Sequence, residues 1–148
     1  MKSFTFFFVW VATGLILASA AFASTPPAPG SSQFTAAKVE SIEDNLLLCL
    51  ASEYPGVRAS AALTLRQLKA VARDYSFNRS VIPLMRIVNG EQYDSQSRIT
   101  AALALYSLES ERGDYAIRMT AQLTEAERVK FIYEHLTYAR MQEKLASR

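Results

Sequence analysis

The sequence is poor in the residues from which catalytic and metal sites are most often built. Cys49 is the only cysteine and His135 the only histidine among 148 residues, so an internal disulfide and a histidine–cysteine metal site are excluded. The chain also lacks a dinucleotide-binding glycine motif, a phosphate-binding loop and a nucleophile elbow. We therefore expect no metal, no cofactor and no enzymatic activity.

An excess of charge of either sign is also missing. The whole chain carries 16 basic and 14 acidic residues, a net charge of +2. Without the amino-terminal segment, whose only charged residue is Lys2, 15 basic residues face 14 acidic ones. A surface so evenly balanced gives no electrostatic reason to expect nucleic acid or an anionic membrane as a partner.

The amino-terminal segment has the pattern of an export signal. A lysine at position 2 precedes an uncharged apolar run over residues 4–22, and Ala21-Phe22-Ala23 is a small-x-small cleavage pattern. We interpret residues 1–23 as a signal peptide cleaved after Ala23, which predicts a periplasmic or secreted protein. Residues 24–36, rich in proline and serine, are predicted to be a disordered linker. An uncleaved membrane anchor is the alternative, since about 18 apolar residues can span a bilayer.

A repeat at a period of forty residues is the strongest signal in the rest of the chain. Residues 58–68 and 98–108 agree at six of eleven positions. Self-similarity of this kind is typical of stacked helical repeats, in which one unit cannot bury its apolar face alone. The identical pairs are Arg58/Arg98, Ala61/Ala101, Ala62/Ala102, Leu63/Leu103, Leu65/Leu105 and Leu68/Leu108.

Apolar spacing and helix-breaking residues predict six helices grouped in three pairs. Thr124 and Glu127 form a predicted capping box, and alignment of Arg128 with Arg58 and Arg98 defines a third, less regular unit. In that unit Phe131 and Ile132 replace the alanine pair. The predicted helices cover residues 37–52, 57–73, 80–88, 95–109, 111–122 and 125–145.

At this point the chain resembles the HEAT-repeat family. The resemblance lies in Val57-Arg58-x-x-Ala61-Ala62-x-x-Leu65-x-x-Leu68 and in its second copy, Ser97-Arg98-x-x-Ala101-Ala102-x-x-Leu105-x-x-Leu108. It implies an all-α fold, a short right-handed α-solenoid of about three antiparallel helix pairs over residues 37–148, whose second helices line a concave side. Members of this family generally bind other proteins.

Three arginines are predicted to stabilise the repeats. Arg58 and Arg98 lie near helix amino termini, where the helix dipole disfavours a cation, so their positions require another explanation. We expect each to bond to an acid or a carbonyl in a loop of the adjoining unit, with Glu53, Glu91 and Asp94 as the candidate acids. Arg128 is expected to act likewise in the third unit.

The predicted function is that of a non-catalytic protein–protein interaction module. Positions between the core residues of the second helices should face the partner, whose identity the sequence does not give. An enzyme that uses the same helix face, with His135 or the acids near residue 111 as general acid–base, is the alternative from another class. The candidate partner-binding residues are Arg66, Tyr106, Lys130, Tyr133 and Glu134.

Mass spectrometry of the protein that the cell accumulates tests the export signal. Cleavage after Ala23 predicts a first residue at or near Ser24, because the small side chains at 21 and 23 suit signal peptidase. A mature chain that retains residues 4–22 would contradict this prediction and support the membrane anchor.

Overall fold

The computed structural model describes residues 35–147, which form six α-helices and no strand. The all-α prediction is confirmed for this part of the chain, and helix ends differ from the predicted ones by a few residues. The predicted signal peptide and residues 24–34 of the predicted linker lie outside the described residues. The helices are α1 (Ala36–Leu50), α2 (Pro55–Val71), α3 (Asn78–Asn89), α4 (Ser95–Ser107), α5 (Glu111–Leu123) and α6 (Glu127–Ala146).

Local sequence explains where most helices begin. The side chains of Thr35, Asp94 and Ser110 accept hydrogen bonds from backbone N–H groups in the first turns of α1, α4 and α5. Pro55 opens α2, where its missing N–H leaves no helical bond unmade. Pro83 lies in the second turn of α3, where it has no N–H to donate to the preceding turn.

The predicted capping box at the start of α6 is wrong. This helix begins at Glu127 after Ala126, with no side-chain cap. The Thr124 hydroxyl accepts a hydrogen bond from the Arg98 guanidinium at 3.1 Å and a longer one from the backbone N–H of Ala126. A bond to the buried cation has thus replaced the reciprocal cap.

The helices contact one another in two series. Each odd-numbered helix packs on the even-numbered helix that follows it, through a connection of three to five residues. Helices α2, α4 and α6 also contact in order, as do α1, α3 and α5, and the largest of all contacts joins α2 to α4.

Small side chains explain the close contact between α2 and α4. Ala61 and Ala62 on one helix and Ala101 and Ala102 on the other are each at most 3% exposed, next to the fully buried Leu65 and its counterpart Leu105. Alanine at the contact lowers the distance at which two helix axes can pack. The repeated motif is therefore the core of this helix pair.

In the third unit, the buried residues fall one position later than the alignment predicted. Val129, Tyr133 and Leu136 are the buried residues of α6, whereas Arg128 and His135 are exposed. Thus Tyr133 replaces the second alanine of the motif, and Val129 replaces the arginine. The prediction that Arg128 bonds to an adjoining unit and stabilises the repeats is therefore wrong, because its side chain is exposed.

Because Tyr133 is fully buried, the free energy of unfolding should depend on pH in the alkaline range. Burial raises the pKa of Tyr133 above its ordinary value of 10.0, although the charge and hydrogen bond of Arg98 act against the shift. The unfolded chain releases this proton near pH 10 and the folded chain does not, so the free energy of unfolding should fall as pH rises through that range.

The variant Tyr133→Phe tests this prediction. The Tyr133 hydroxyl donates to the carbonyl oxygens of Val88 at 3.3 Å and Arg98 at 3.1 Å. Removing it should lower the free energy of unfolding by about 1–2 kcal/mol near neutral pH. Urea unfolding from pH 7 to 11 should show a shallower decline for the variant than for the parent. An equal decline of stability with pH in the variant and the parent would contradict this prediction. Tyr138→Phe, which changes an exposed tyrosine of the same helix, is the control.

Candidate binding cleft at the carboxyl ends of α2 and α4

An open cleft of about 660 Å³ lies where the carboxyl-terminal half of α2 meets the end of α4. Its α2 side combines cationic, amide and apolar side chains, and the α4 side contributes residues at and just after the helix end. The lining residues are Leu63, Arg66, Gln67, Lys69, Ala70, Arg73, Ser107 and Glu109. This cleft contains Arg66, one of the predicted partner-binding residues.

Three cations line the α2 side of the cleft at positions 66, 69 and 73. Arg66 and Lys69, three residues apart, lie on one face of α2, and Arg73 follows just after the end of the helix at Val71. The Lys69 ammonium group donates to the backbone carbonyl of Arg73 and, at 3.4 Å, to that of Tyr75, which satisfies carbonyls after the helix end. Lys69 thus has a structural use.

Arg66 and Arg73 are more available to a ligand. Both are exposed, and neither forms an ion pair with any residue between 35 and 147. Arg73 makes one long bond, 3.4 Å from Nε to the carbonyl of Ala70, and Arg66 makes no hydrogen bond within the same range. Like charges that line one cleft repel each other, so an acidic ligand would relieve this repulsion.

Glu109 forms the opposite rim of the cleft. Its φ of 55° makes it the one non-glycine residue with positive φ in the described part of the chain. The left-handed conformation costs about 1–2 kcal/mol for a residue with a Cβ atom. The tight turn between α4 and α5 thus places a carboxylate beside a cationic helix face, and the cleft carries both signs of charge.

The arrangement suits carboxylate groups of a peptide better than compact phosphate. Phosphate is bound most readily by the free N–H groups of helix amino termini. Here the two helices end at the cleft, so their free carbonyl groups and the negative end of each dipole lie nearby. Recognition must therefore come from the long side chains, and arginine forks pair well with carboxylates.

Arg58 lies at the amino-terminal end of α2, away from this cleft, and is 7% exposed. Its Nη1 donates to the carbonyls of Ser52 and Glu53, both at 2.9 Å, and its Nη2 donates to Asp94 at 3.2 Å. The Tyr93 ring lies 5.0 Å from the guanidinium carbon. Asp94 was one of the expected acids, and Glu53 participates through its carbonyl instead of its carboxylate.

The carboxylate of Asp94 has two structural roles. It caps α4 by accepting from the N–H and the hydroxyl of Ser97 at 2.9 and 2.6 Å, and it also accepts from Arg58. Partial burial alone would raise the pKa of Asp94, but these hydrogen bonds hold it below its ordinary value.

Arg98, the second repeat arginine, is 4% exposed and forms no ion pair with an acid among residues 35–147. Its Nε donates to the Val88 carbonyl at 3.4 Å and its Nη2 to the Thr124 hydroxyl. Glu91, a candidate acid, forms no ion pair with it. Arg128 is exposed, with no hydrogen bond or ion pair to the rest of the described chain.

Tyr106 is engaged within the protein. Its hydroxyl donates to the Glu143 carboxylate, and the Arg140 guanidinium lies 4.1 Å from its ring centroid. Arg140 also donates to Asp114 at 3.1 Å and to the Tyr106 carbonyl, so this group ties α4, α5 and α6 together. Burial and the Glu143 carboxylate raise the pKa of Tyr106.

The other predicted partner-binding residues do not line the cleft. Tyr133 is fully buried, so its prediction as a contact residue is wrong: its ring fills the α4–α6 core and its hydroxyl is satisfied by carbonyls. Lys130 is half-buried and Glu134 exposed, both on α6. Lys69, Arg73 and Glu109 were missed, although the spacing of 66, 69 and 73 could have indicated the first two.

Comparisons with known proteins add no relative: no protein-family model, no curated protein and no solved structure matches this chain. Within residues 35–147, histidine, cysteine and carboxylate side chains do not cluster in any group that could hold a metal ion. Across the same range, none of the helices has the length and apolar character needed to cross a membrane.

Proposed function

We propose that this protein is a short HEAT-like scaffold of three antiparallel helix pairs that binds a protein partner and catalyses no reaction. The protein acts in the periplasm or outside the cell after removal of residues 1–23. The cleft between α2 and α4 receives an acidic segment of the partner, with Arg66 and Arg73 as the main contacts.

The order of helix contacts supports the repeat architecture. Odd-numbered and even-numbered helices each contact in sequence, as the two layers of a right-handed solenoid would. The two copies of the motif lie on α2 and α4, whose contact is the largest in the described chain. Arg58 and Asp94 connect the corresponding units.

The observation that carries the binding proposal is that Arg66 is exposed in the cleft and unpaired among the described residues. An exposed arginine with no hydrogen bond or ion pair to any described residue lines a cleft of about 660 Å³, next to the half-exposed Leu63. Arginine beside apolar surface is common among residues that dominate protein interfaces. Glu109 on the rim would favour a segment that also carries a basic residue.

The alternative of an enzyme centred on His135 has little structural support. His135 is exposed and makes no hydrogen bond with the rest of the described chain, whereas a general base is normally held in place by a partner. Asp114, one of the acids considered for this role, pairs with Arg140 and Lys144 at 3.1 and 3.5 Å.

Charge-neutral variants of the cleft test the proposed function. The partner is captured with the wild-type protein from the exported fraction, identified, and titrated against Arg66→Gln/Arg73→Gln. Loss of two charged contacts should weaken binding by about tenfold or more, and the wild-type affinity should fall as salt rises. Neither side chain is buried, so the thermal midpoint should stay close to that of wild type.

The matched control is Arg86→Gln/Arg128→Gln, which removes the same charge from two exposed arginines outside the cleft. It should bind the partner as tightly as the wild type. Equal binding by both double variants would contradict the assigned cleft. Turnover of a substrate that depends on His135 would contradict the non-catalytic proposal.

A further inference from the structure

A second groove, of about 340 Å³, lies between α3 and α5 and is separate from the α2–α4 cleft. Met85 and Met119 are half-buried along it, and Tyr115 and Leu123 border it with 55% and 72% of their surfaces exposed. Thioether side chains adapt readily to the shape of an apolar ligand. A volume near the lower end of the usual range for small-molecule sites, about 300–1,000 Å³, indicates a compact occupant.

Arg98 reaches this groove from α4 and gives it a positive charge. Arg98 is only 4% exposed, and the charge of so deeply buried a residue should be paired with an acid, because burying an isolated charge is costly. Arg58, the equivalent residue forty positions earlier, pairs with Asp94, whereas Arg98 forms no ion pair with any residue between 35 and 147 and donates to the Val88 carbonyl and the Thr124 hydroxyl. Both repeat units thus contain the buried arginine, but only Arg58 has an acidic partner among the described residues.

The groove also contains one acid, Glu91, on the loop after α3. Glu91 is exposed and forms no ion pair with Arg98 or with any other residue between 35 and 147. Its charge weakens the attraction of the groove for anions in general, and most strongly for those with more than one charge. This favours a ligand with a single negative charge.

We propose that this groove binds a small monocarboxylate with an apolar tail, its carboxylate on Arg98 and its tail along Met85, Met119 and Leu123. The ligand supplies the missing anion for the buried guanidinium and covers apolar surface that the described residues leave exposed. An amine would be repelled by Arg98, and a compact phosphate would leave the apolar wall uncovered. This proposal does not rest on the protein-binding cleft.

Calorimetric titration with octanoate tests the proposal on the purified protein in the form that the cell accumulates. Octanol and octylamine, with the same tail and a neutral or cationic head, serve as matched ligands, and acetate lacks the tail. Octanoate should bind at least about tenfold more tightly than octanol or acetate, since both the charge and the tail contribute. Octylamine should not bind.

Two groove variants separate a specific site from general affinity for fatty acids. Leu123→Glu places an acid on the exposed wall and should abolish octanoate binding without unfolding the protein, which circular dichroism checks. Glu91→Gln removes the competing acid and should strengthen octanoate binding by about threefold while leaving octanol unchanged. Glu134→Gln, a neutralised acid on α6, should leave both unchanged.

Three results would overturn the proposal. The first is equal affinity for octanoate and octanol, because Arg98 would then play no part. The second is octanoate binding that survives Leu123→Glu in a folded protein. The third is the absence of any octanoate binding at millimolar concentration. Arg98→Lys provides a further readout, since an ammonium group keeps the charge without the planar fork and should bind octanoate more weakly than wild type.

Discussion

Two buried arginines connect successive helix pairs in the described part of the chain through hydrogen bonds to neighbouring loops. Arg58 bonds to carbonyls before its own helix and to Asp94, which caps α4 in the next unit. Arg98 connects the end of α3 to Thr124, just ahead of α6. A buried arginine is costly unless its donors are satisfied, which favours the loop positions that these bonds require. Within residues 35–147, Nε of Arg58 is the one buried side-chain polar atom without a hydrogen-bond partner. Alanines at the contact then allow α2 and α4 to pack closely.

These joints also decide which surfaces remain available. Arg58 and Asp94 lie at the amino-terminal ends of α2 and α4, so the carboxyl-terminal ends of the same helices are free to border the cleft with Arg66 and Arg73. In the next unit, Thr124 replaces the acid, and the positive charge of Arg98 is left to the groove between α3 and α5. Both candidate sites therefore follow from the way in which the repeat arginines are satisfied.

The sequence predicted the helical content and the contacts of the repeated motif well, because alanine and leucine at fixed spacing allow few other packings. The sequence-based prediction failed where two registers of a helix could each place residues in the core. Phe131-Ile132 and Ile132-Tyr133 both resemble the alanine pair by spacing. The structure buries Tyr133 because its hydroxyl finds two carbonyls, leaving Phe131 68% exposed. Likewise, Thr124 could cap α6 or bond to Arg98, and only three-dimensional proximity decides between them. The cleft needed the turn at Glu109, which no local pattern indicates.

A double-mutant cycle on Arg58 and Asp94, measured by urea unfolding, tests the central role of the joints most directly. Arg58→Gln, Asp94→Asn and the double variant are compared with wild type at neutral pH, where Asp94 is ionised, its pKa being held below the ordinary value. We expect the sum of the stability losses in the two single variants to exceed the loss in the double variant, with a coupling energy of about 1–3 kcal/mol. Effects that add to within about 0.5 kcal/mol would show that the contact across the joint does not hold the helix pairs together.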